Sequence, residues 1–147
     1  MKVCIVSSCG GHLTEVRMLL PAYREMDHFY VINDRAILPP DMHGRTYFIS
    51  HAERNWKIVL NFLEAYRILR RERPSVLLST GAGPAVPFAV VGRFLFGMRI
   101  VFVETFTRIE RPSLTGRLMY RLSHDFYYQW AALRKFFPHA IHGGPLA

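Results

Sequence analysis

The chain has 147 residues, half of them hydrophobic, with 19 Lys and Arg against 11 Asp and Glu and a formal net charge of +8. This is enough for one domain with a real core, and it excludes a disordered chain. The arginines lie beside apolar stretches rather than in a tail, and no nucleic-acid signature accompanies them. That pattern favours an anionic membrane surface or a phosphate-bearing ligand over nucleic acid.

The first apolar run, residues 3–6, opens into Ser7-Ser8-Cys9-Gly10-Gly11-His12-Leu13-Thr14-Glu15, followed by a helical pattern over 13–24. A strand, a glycine turn and a helix start place outward N–H groups and the positive end of a helix dipole where a phosphate or developing negative charge is welcome. His12 adds an imidazole, the side-chain type that titrates near neutrality, as a general base or a donor to an anion. Glu15, one helical turn on, is placed to orient that imidazole or to complement the helix dipole. The turn matches neither the dinucleotide fingerprint, which needs a third glycine, nor the P-loop with its Lys-Ser/Thr. Cys4 and Cys9 lack CxxC spacing and read as thiols of a reduced, cytoplasmic protein. The first apolar run is too short for a secretory signal.

Further strand-like runs occur at 29–32, 47–49, 76–78, 100–103 and 126–128, with helical patterns at 55–73, 85–96 and 114–122 and a shorter one at 131–137. The alternation predicts a single α/β domain over residues 1–147, a Rossmann-like parallel sheet with helices on both faces. Pro74 closes the second helix and Pro84 opens the third. The greasiest stretch, 85–103, is interrupted by Gly92, Arg93, Gly97 and Arg99, and reads as a helix and a buried strand rather than a membrane span. Along 55–73, Trp56, Val59, Leu60, Phe62, Leu63, Tyr66 and Leu69 form a broad apolar face, with Arg67, Arg70, Arg71 and Arg73 toward its end. Core packing and insertion into a bilayer surface both fit such a helix.

In a sheet of this kind, ligands bind beyond the carboxyl ends of the strands. Besides Gly10-Gly11-His12, that rule singles out Ser79-Thr80-Gly81-Ala82-Gly83-Pro84, either a second anion cradle or a tight connection. Glu104-Thr105-Phe106-Thr107-Arg108 places an acid, two hydroxyls and an arginine after a strand, as ligand-binding groups or as an internal Glu104–Arg108 ion pair. His142-Gly143-Gly144-Pro145 is a fourth loop or a flexible chain end. The remaining histidines, including His28, His43 and His51, show no metal-ligand spacing, and neither a metal nor another cofactor is expected.

In their order and spacing, Ser8-Cys9-Gly10-Gly11-His12-Leu13-Thr14-Glu15, Ser79-Thr80-Gly81-Ala82-Gly83, Glu104-Thr105-Phe106-Thr107-Arg108, Ser113-Leu114-Thr115-Gly116 with Tyr120, and Gln129-Trp130 resemble the PssD-type bacterial polysaccharide-synthesis proteins. Those are relatives of the membrane-recruiting subunit of the eukaryotic two-component N-acetylglucosaminyltransferase of the dolichol pathway. The family is similar to the N-terminal half of a GT-B glycosyltransferase, with MurG a more distant single-chain relative.

The resemblance implies an acceptor-binding half-enzyme, peripheral at the cytoplasmic face of the cell membrane, with a PssE-like donor-binding subunit bringing the UDP-sugar. Its acceptor would be a polyprenyl-diphosphate-linked saccharide. The lack of an Asp-x-Asp motif agrees with metal-independent GT-B transfer. In the eukaryotic pattern a membrane anchor precedes the first strand, where this sequence has Met1. On this reading His12 is the general base, Glu15 orients it, and Glu104 is the rival base. Gly10, Gly11, Gly81 and Gly83, with Thr105, Arg108, Thr115 and Gly116, hold the acceptor diphosphate or complete the cleft. Two other readings stay open: a noncatalytic scaffold that brings a partner transferase to the membrane, and a Rossmann-like nucleotide-binding enzyme with Asp34 as its ribose ligand.

Overall fold

The computed structural model describes residues 1–8, 10–33, 37–50, 56–81 and 83–146, so Cys9, Asp34, His51, Asn55 and Ala82 lie outside the described residues. Among these residues seven strands form one sheet: β1 (Lys2–Ser7), β2 (Asp27–Ile32), β3 (Thr46–Phe48), β4 (Val76–Ser79), β5 (Arg99–Val103), β6 (Asp125–Tyr128) and β7 (Ile141–His142). The helices are α1 (Gly11–Met18), α2 (Leu20–Tyr23), α3 (Ile58–Glu72), α4 (Ala85–Phe96) and α5 (Leu114–Leu122). Every strand pair is parallel, and the order is β3-β2-β1-β4-β5-β6-β7. The chain therefore builds outward from β1 to one edge, returns to lay β4 beside β1, and then builds toward the other edge.

Strands in such a sheet are covered on both faces, which is why they read as nearly continuous apolar runs. Side chains alternate between two layers. Cys4, Val6, Leu77, Ile100, Phe102 and Phe126 point into a layer formed with α3, α4 and α5, while Val3, Ile5, Tyr30 and Ile32 point toward α1 and α2. The first layer is the larger, with Leu69 of α3, Phe88 of α4 and Met119 of α5 fully buried. Burying a side chain of that size stabilises by roughly 1.5–3 kcal/mol through the apolar area removed from water.

Two helical expectations change. The pattern over 13–24 does not make one helix, because α1 stops at Met18 and a single turn restarts at Leu20. Pro21 explains the break: its ring would collide with the carbonyl four residues earlier in a continuous helix. Of 131–137, only Ala131–Leu133 is helical, as one 3-10 turn. Its apolar pattern reflects burial of Leu133 and Phe137 rather than a helix face.

The chain end is not a loose tail. Ile141–His142 pairs with β6, Gly143 N donates to Tyr128 O at 3.0 Å, and His142 Nε2 donates to Gln129 O at 3.1 Å. Along α3 and the turn before it, Leu69 faces the core and Phe62 is half-buried, which leaves a narrower exposed stripe of Trp56, Val59, Leu63 and Tyr66. Among the described residues no helix is long and apolar enough to cross a membrane.

Candidate functional site

The strand order reverses between β1 and β4, and the chain leaves those two strands on opposite faces, by α1 from one and by α4 from the other. The loops beyond their carboxyl ends therefore diverge and leave a crevice, the usual ligand position in open α/β sheets. Beyond β1, Gly10 takes φ 89° and ψ −138°, and α1 begins at Gly11 with no side-chain cap on its first turn. His12 is the second residue of that helix.

Beyond β4, the second glycine loop meets His12 directly. The Thr80 hydroxyl donates to the His12 carbonyl oxygen at 3.0 Å. Gly81 has φ 137°, and a Cβ built on it would stand 2.7 Å from His12 Cε1 and 2.9 Å from Nδ1. Glycine is thus required at 81 both by the backbone and by the ring that fills the space of the missing side chain. The Ser79 hydroxyl closes this turn, accepting from Gly81 N at 3.2 Å and donating to Gly81 O at 3.3 Å. His12 Nδ1 is buried without a hydrogen-bond partner, a state few buried polar atoms keep. Gly83 is exposed at the rim.

Glu15 does not orient His12. Its buried carboxylate turns toward the end of β5, where Thr105 Oγ1 donates to Oε1 at 2.5 Å and Phe106 N donates to Oε2 at 3.3 Å. Gln129 Nε2 donates to the same Oε2 at 3.4 Å. Three residues along a helix rotate a side chain by about 300°, so residues 12 and 15 leave α1 in neighbouring but different directions.

Glu104 is not placed as a base either. It is fully buried, its Oε1 accepting from Thr105 N at 3.1 Å and Ser113 Oγ at 2.7 Å, and its Oε2 from Ser113 N at 3.0 Å. Ser113 is also the N-cap of α5, its hydroxyl accepting from Gly116 N at 2.8 Å. Gly116 is the second position that only glycine fits, because the Glu104 carboxylate occupies the place of a Cβ. With its amide committed and its Cα against Glu104, Gly116 supports the loop rather than lining the cleft, while Thr115 is half-buried at the start of α5. No Glu104–Arg108 ion pair forms among the described residues: Glu104 points inward, and a turn closed by Arg108 N to Thr105 O at 3.1 Å sends Arg108 outward.

The residues whose work the sequence left unstated are Thr80, Ser113, Gln129 and Trp130. Gln129 is buried just beyond β6, and its amide ties Glu15 to Glu104 O, at 3.0 Å from the latter. Its Oε1 accepts from Leu146 N at 2.9 Å, while Trp130 Nε1 donates to Phe106 O at 2.6 Å. A glutamine immediately after an apolar strand was the available signal, since a buried amide must find partners for both its ends. Among the described residues no group of three or more His, Cys, Asp or Glu is placed to hold a metal ion.

A seven-stranded parallel sheet with its crevice at the switch point has the form of a GT-B N-terminal domain. MurG from Acinetobacter baumannii superposes with a TM-score of 0.69 at 16% identity, over 89% of this chain and 42% of that one. The UDP-N-acetylglucosamine 2-epimerase from Rickettsia bellii gives 0.73 at 14% identity, over 99% of this chain and 43% of that one. At such identities the likeness is one of fold, and the chain spans less than half the length of each structure. The family model described as oligosaccharide biosynthesis protein Alg14 like matches residues 42–146, and the chain belongs to that family. Relatives from Homo sapiens and Rattus norvegicus, each named UDP-N-acetylglucosamine transferase subunit ALG14, are 27% and 32% identical, with 98% of this chain and 82% of each relative covered.

Proposed function

We propose that this chain is the acceptor-binding subunit of a two-component glycosyltransferase of the PssD type, in which a PssE-like subunit binds the UDP-sugar. The observation that carries the reading is the seat of His12: an imidazole held at the switch-point crevice by Gly81, with its Nδ1 hydrogen bonding unfinished. The naming of the relatives as transferase subunits supports it.

The acceptor is a polyprenyl-diphosphate-linked saccharide. Its hydroxyl attacks the anomeric carbon of the UDP-sugar; the new carbon–oxygen bond forms as the bond to UDP breaks, UDP leaves with the electron pair, and His12 takes the hydroxyl proton. General-base assistance of this kind is worth about 10²–10⁴ in rate. The Gly10 and Gly11 amides at the start of α1, together with exposed Arg108, hold the acceptor diphosphate. Thr105 contributes by fixing the loop, its hydroxyl being committed to Glu15. Trp56, Val59, Leu63 and Tyr66, with Arg67 and Arg70 beside them on α3, attach the protein peripherally to the anionic cytoplasmic face of the membrane.

Reconstitution tests this. The purified chain is assayed alone and with a donor-binding partner encoded beside it, against a panel of UDP-sugars and a polyprenyl-diphosphate saccharide. No transfer alone and transfer with the partner is the expected result. Robust transfer by the chain alone overturns the half-enzyme. A complex whose rate is untouched by His12→Ala is instead one in which this chain is a noncatalytic scaffold.

A further inference from the structure

We infer that Glu15 is a positioning residue: its carboxylate sets the 106–108 turn against α1 and thereby the separation of Arg108 from His12. The functional consequence rests on the reading above, in which those two residues bind the acceptor and move its proton; the structural claim does not.

The turn is held at each successive residue. Glu104 O accepts from Gln129 Nε2 at 3.0 Å, and Thr105 N donates to Glu104 Oε1 at 3.1 Å. Thr105 Oγ1 and Phe106 N donate to Glu15 at 2.5 and 3.3 Å. Phe106 O accepts from Trp130 Nε1 at 2.6 Å, and Thr107 N donates to Thr105 Oγ1 at 3.4 Å. The ties contributed by α1, the helix that carries His12, are those of Glu15, reaching across 90 and 91 residues of sequence. The remaining ties come from the end of β6 and from the turn itself. Without Glu15 the turn is fixed to β6 but not to the element bearing the base.

A carboxylate suits the site better than a neutral group, because it accepts on both oxygens and carries a charge. Three donors converge on two oxygens that are almost entirely buried. A glutamine in this place presents an NH₂ to at least one of Thr105, Phe106 and Gln129. With its oxygen in the place of Oε2, a glutamine keeps the bonds from Phe106 N and Gln129 Nε2, while its NH₂ faces Thr105, whose hydroxyl must turn round to accept; all three bonds lose the charge that strengthens them, so the turn is held more weakly. The same argument separates positioning from bulk: glutamine fills the volume of glutamate and leaves the apolar packing of α1 intact.

The test compares Glu15→Gln, Thr105→Val and Thr105→Ser in the full chain by amide hydrogen exchange. Exchanging buried charge-assisted hydrogen bonds for neutral ones, or losing one of them, accelerates local opening by roughly tenfold. That acceleration is expected at the Phe106 and Thr107 amides in Glu15→Gln and Thr105→Val, with the β1 and β4 amides unchanged and Thr105→Ser close to the parent protein. In the reconstituted complex the acceptor KM rises about tenfold or more in Glu15→Gln with a smaller change in kcat, the reverse of the pattern for His12→Ala. The double variant Glu15→Gln/Thr105→Val raises KM by less than the product of the two single effects, since the Thr105 bond is one of the three that Glu15 makes. Unchanged exchange at 106 and 107, or acceleration spread evenly through the sheet in both Glu15→Gln and Thr105→Val, overturns the assignment. So does an unchanged KM when the turn has loosened. If the parent complex transfers no sugar, the acceptor reading falls, and the exchange comparison still decides whether Glu15 holds the turn.

Discussion

The imidazole of His12 lies over the Cα of Gly81, so close that a Cβ there would stand 2.7 Å from Cε1. The loops that follow Ser7 and Ser79 thus meet across the crevice, through this contact and the Thr80 hydroxyl's bond to His12 O. Gly81→Ala combines a side chain at φ 137° with a collision against the ring. It is expected to push His12 out of the crevice and lower sugar transfer by the reconstituted complex at least about tenfold, while the sheet still folds. NMR of the His12 ring nitrogens and an activity assay check this. Unmoved ring resonances with parent-like turnover would show that the seat is not used.

His12→Ala is expected to lower turnover in the complex by about 10²-fold or more at saturating acceptor, without changing unfolding temperature or partner binding. Near-normal turnover would remove it from proton transfer.

Gly116→Ala tests the other glycine. A methyl group there must displace the Glu104 carboxylate and break its bonds to Ser113, the N-cap of α5. The expected cost is about 2–4 kcal/mol, from overpacking and the loss of buried charge-assisted hydrogen bonds, read from the urea midpoint. A change below about 0.5 kcal/mol would mean that the loop relaxes freely around position 116.

Acid stability depends on a cluster at the amino end of the sheet. Glu72 accepts from the Tyr47 hydroxyl and, at 2.9 Å, from Lys2 Nζ, and these two partners hold its carboxyl below the ordinary value of 4.5. The Arg99 guanidinium does the same for Asp125, as Arg17 does for Asp41. A carboxyl whose folded value is depressed stabilises fully above its unfolded value and loses that contribution as pH falls through the folded one. Glu72→Gln is therefore expected to destabilise by about 1 kcal/mol near neutrality, with the difference shrinking below pH 4.5. Paired thermal melts across that range measure it, and a pH-independent difference would assign the effect to packing.

Membrane attachment is read by flotation with anionic vesicles. Trp56 is 72% exposed and Leu63 51%, so Trp56→Ser/Leu63→Glu removes apolar surface without emptying the core. Vesicle binding should fall severalfold with the unfolding temperature retained, and high salt should weaken but not abolish binding by the parent protein. Binding that is indifferent to both substitutions would move the contact elsewhere.

The sequence by itself determined the layered α/β class and the loops worth examining, because those signals are local. Buried parallel strands require apolar runs, Gly97 stops α4 and Pro74 follows α3, and glycine turns mark the strand ends. The bounds of α4 and α5 follow directly from such punctuation. A two-residue strand such as β7 carries no periodicity, so only pairing with β6 revealed it. What the tertiary structure decided was the employment of the carboxylates. Glu15 stands three residues from His12 and looks like its partner in sequence, yet its donors come from residues 105, 106 and 129. Glu104 has the look of a base at a strand end, yet Ser113 and the Thr105 amide occupy it. A buried carboxylate takes whichever donors the packed strands bring within 3 Å or so, and the strand order that puts β4 beside β1 and β5 beside β4 is a property of the whole sheet.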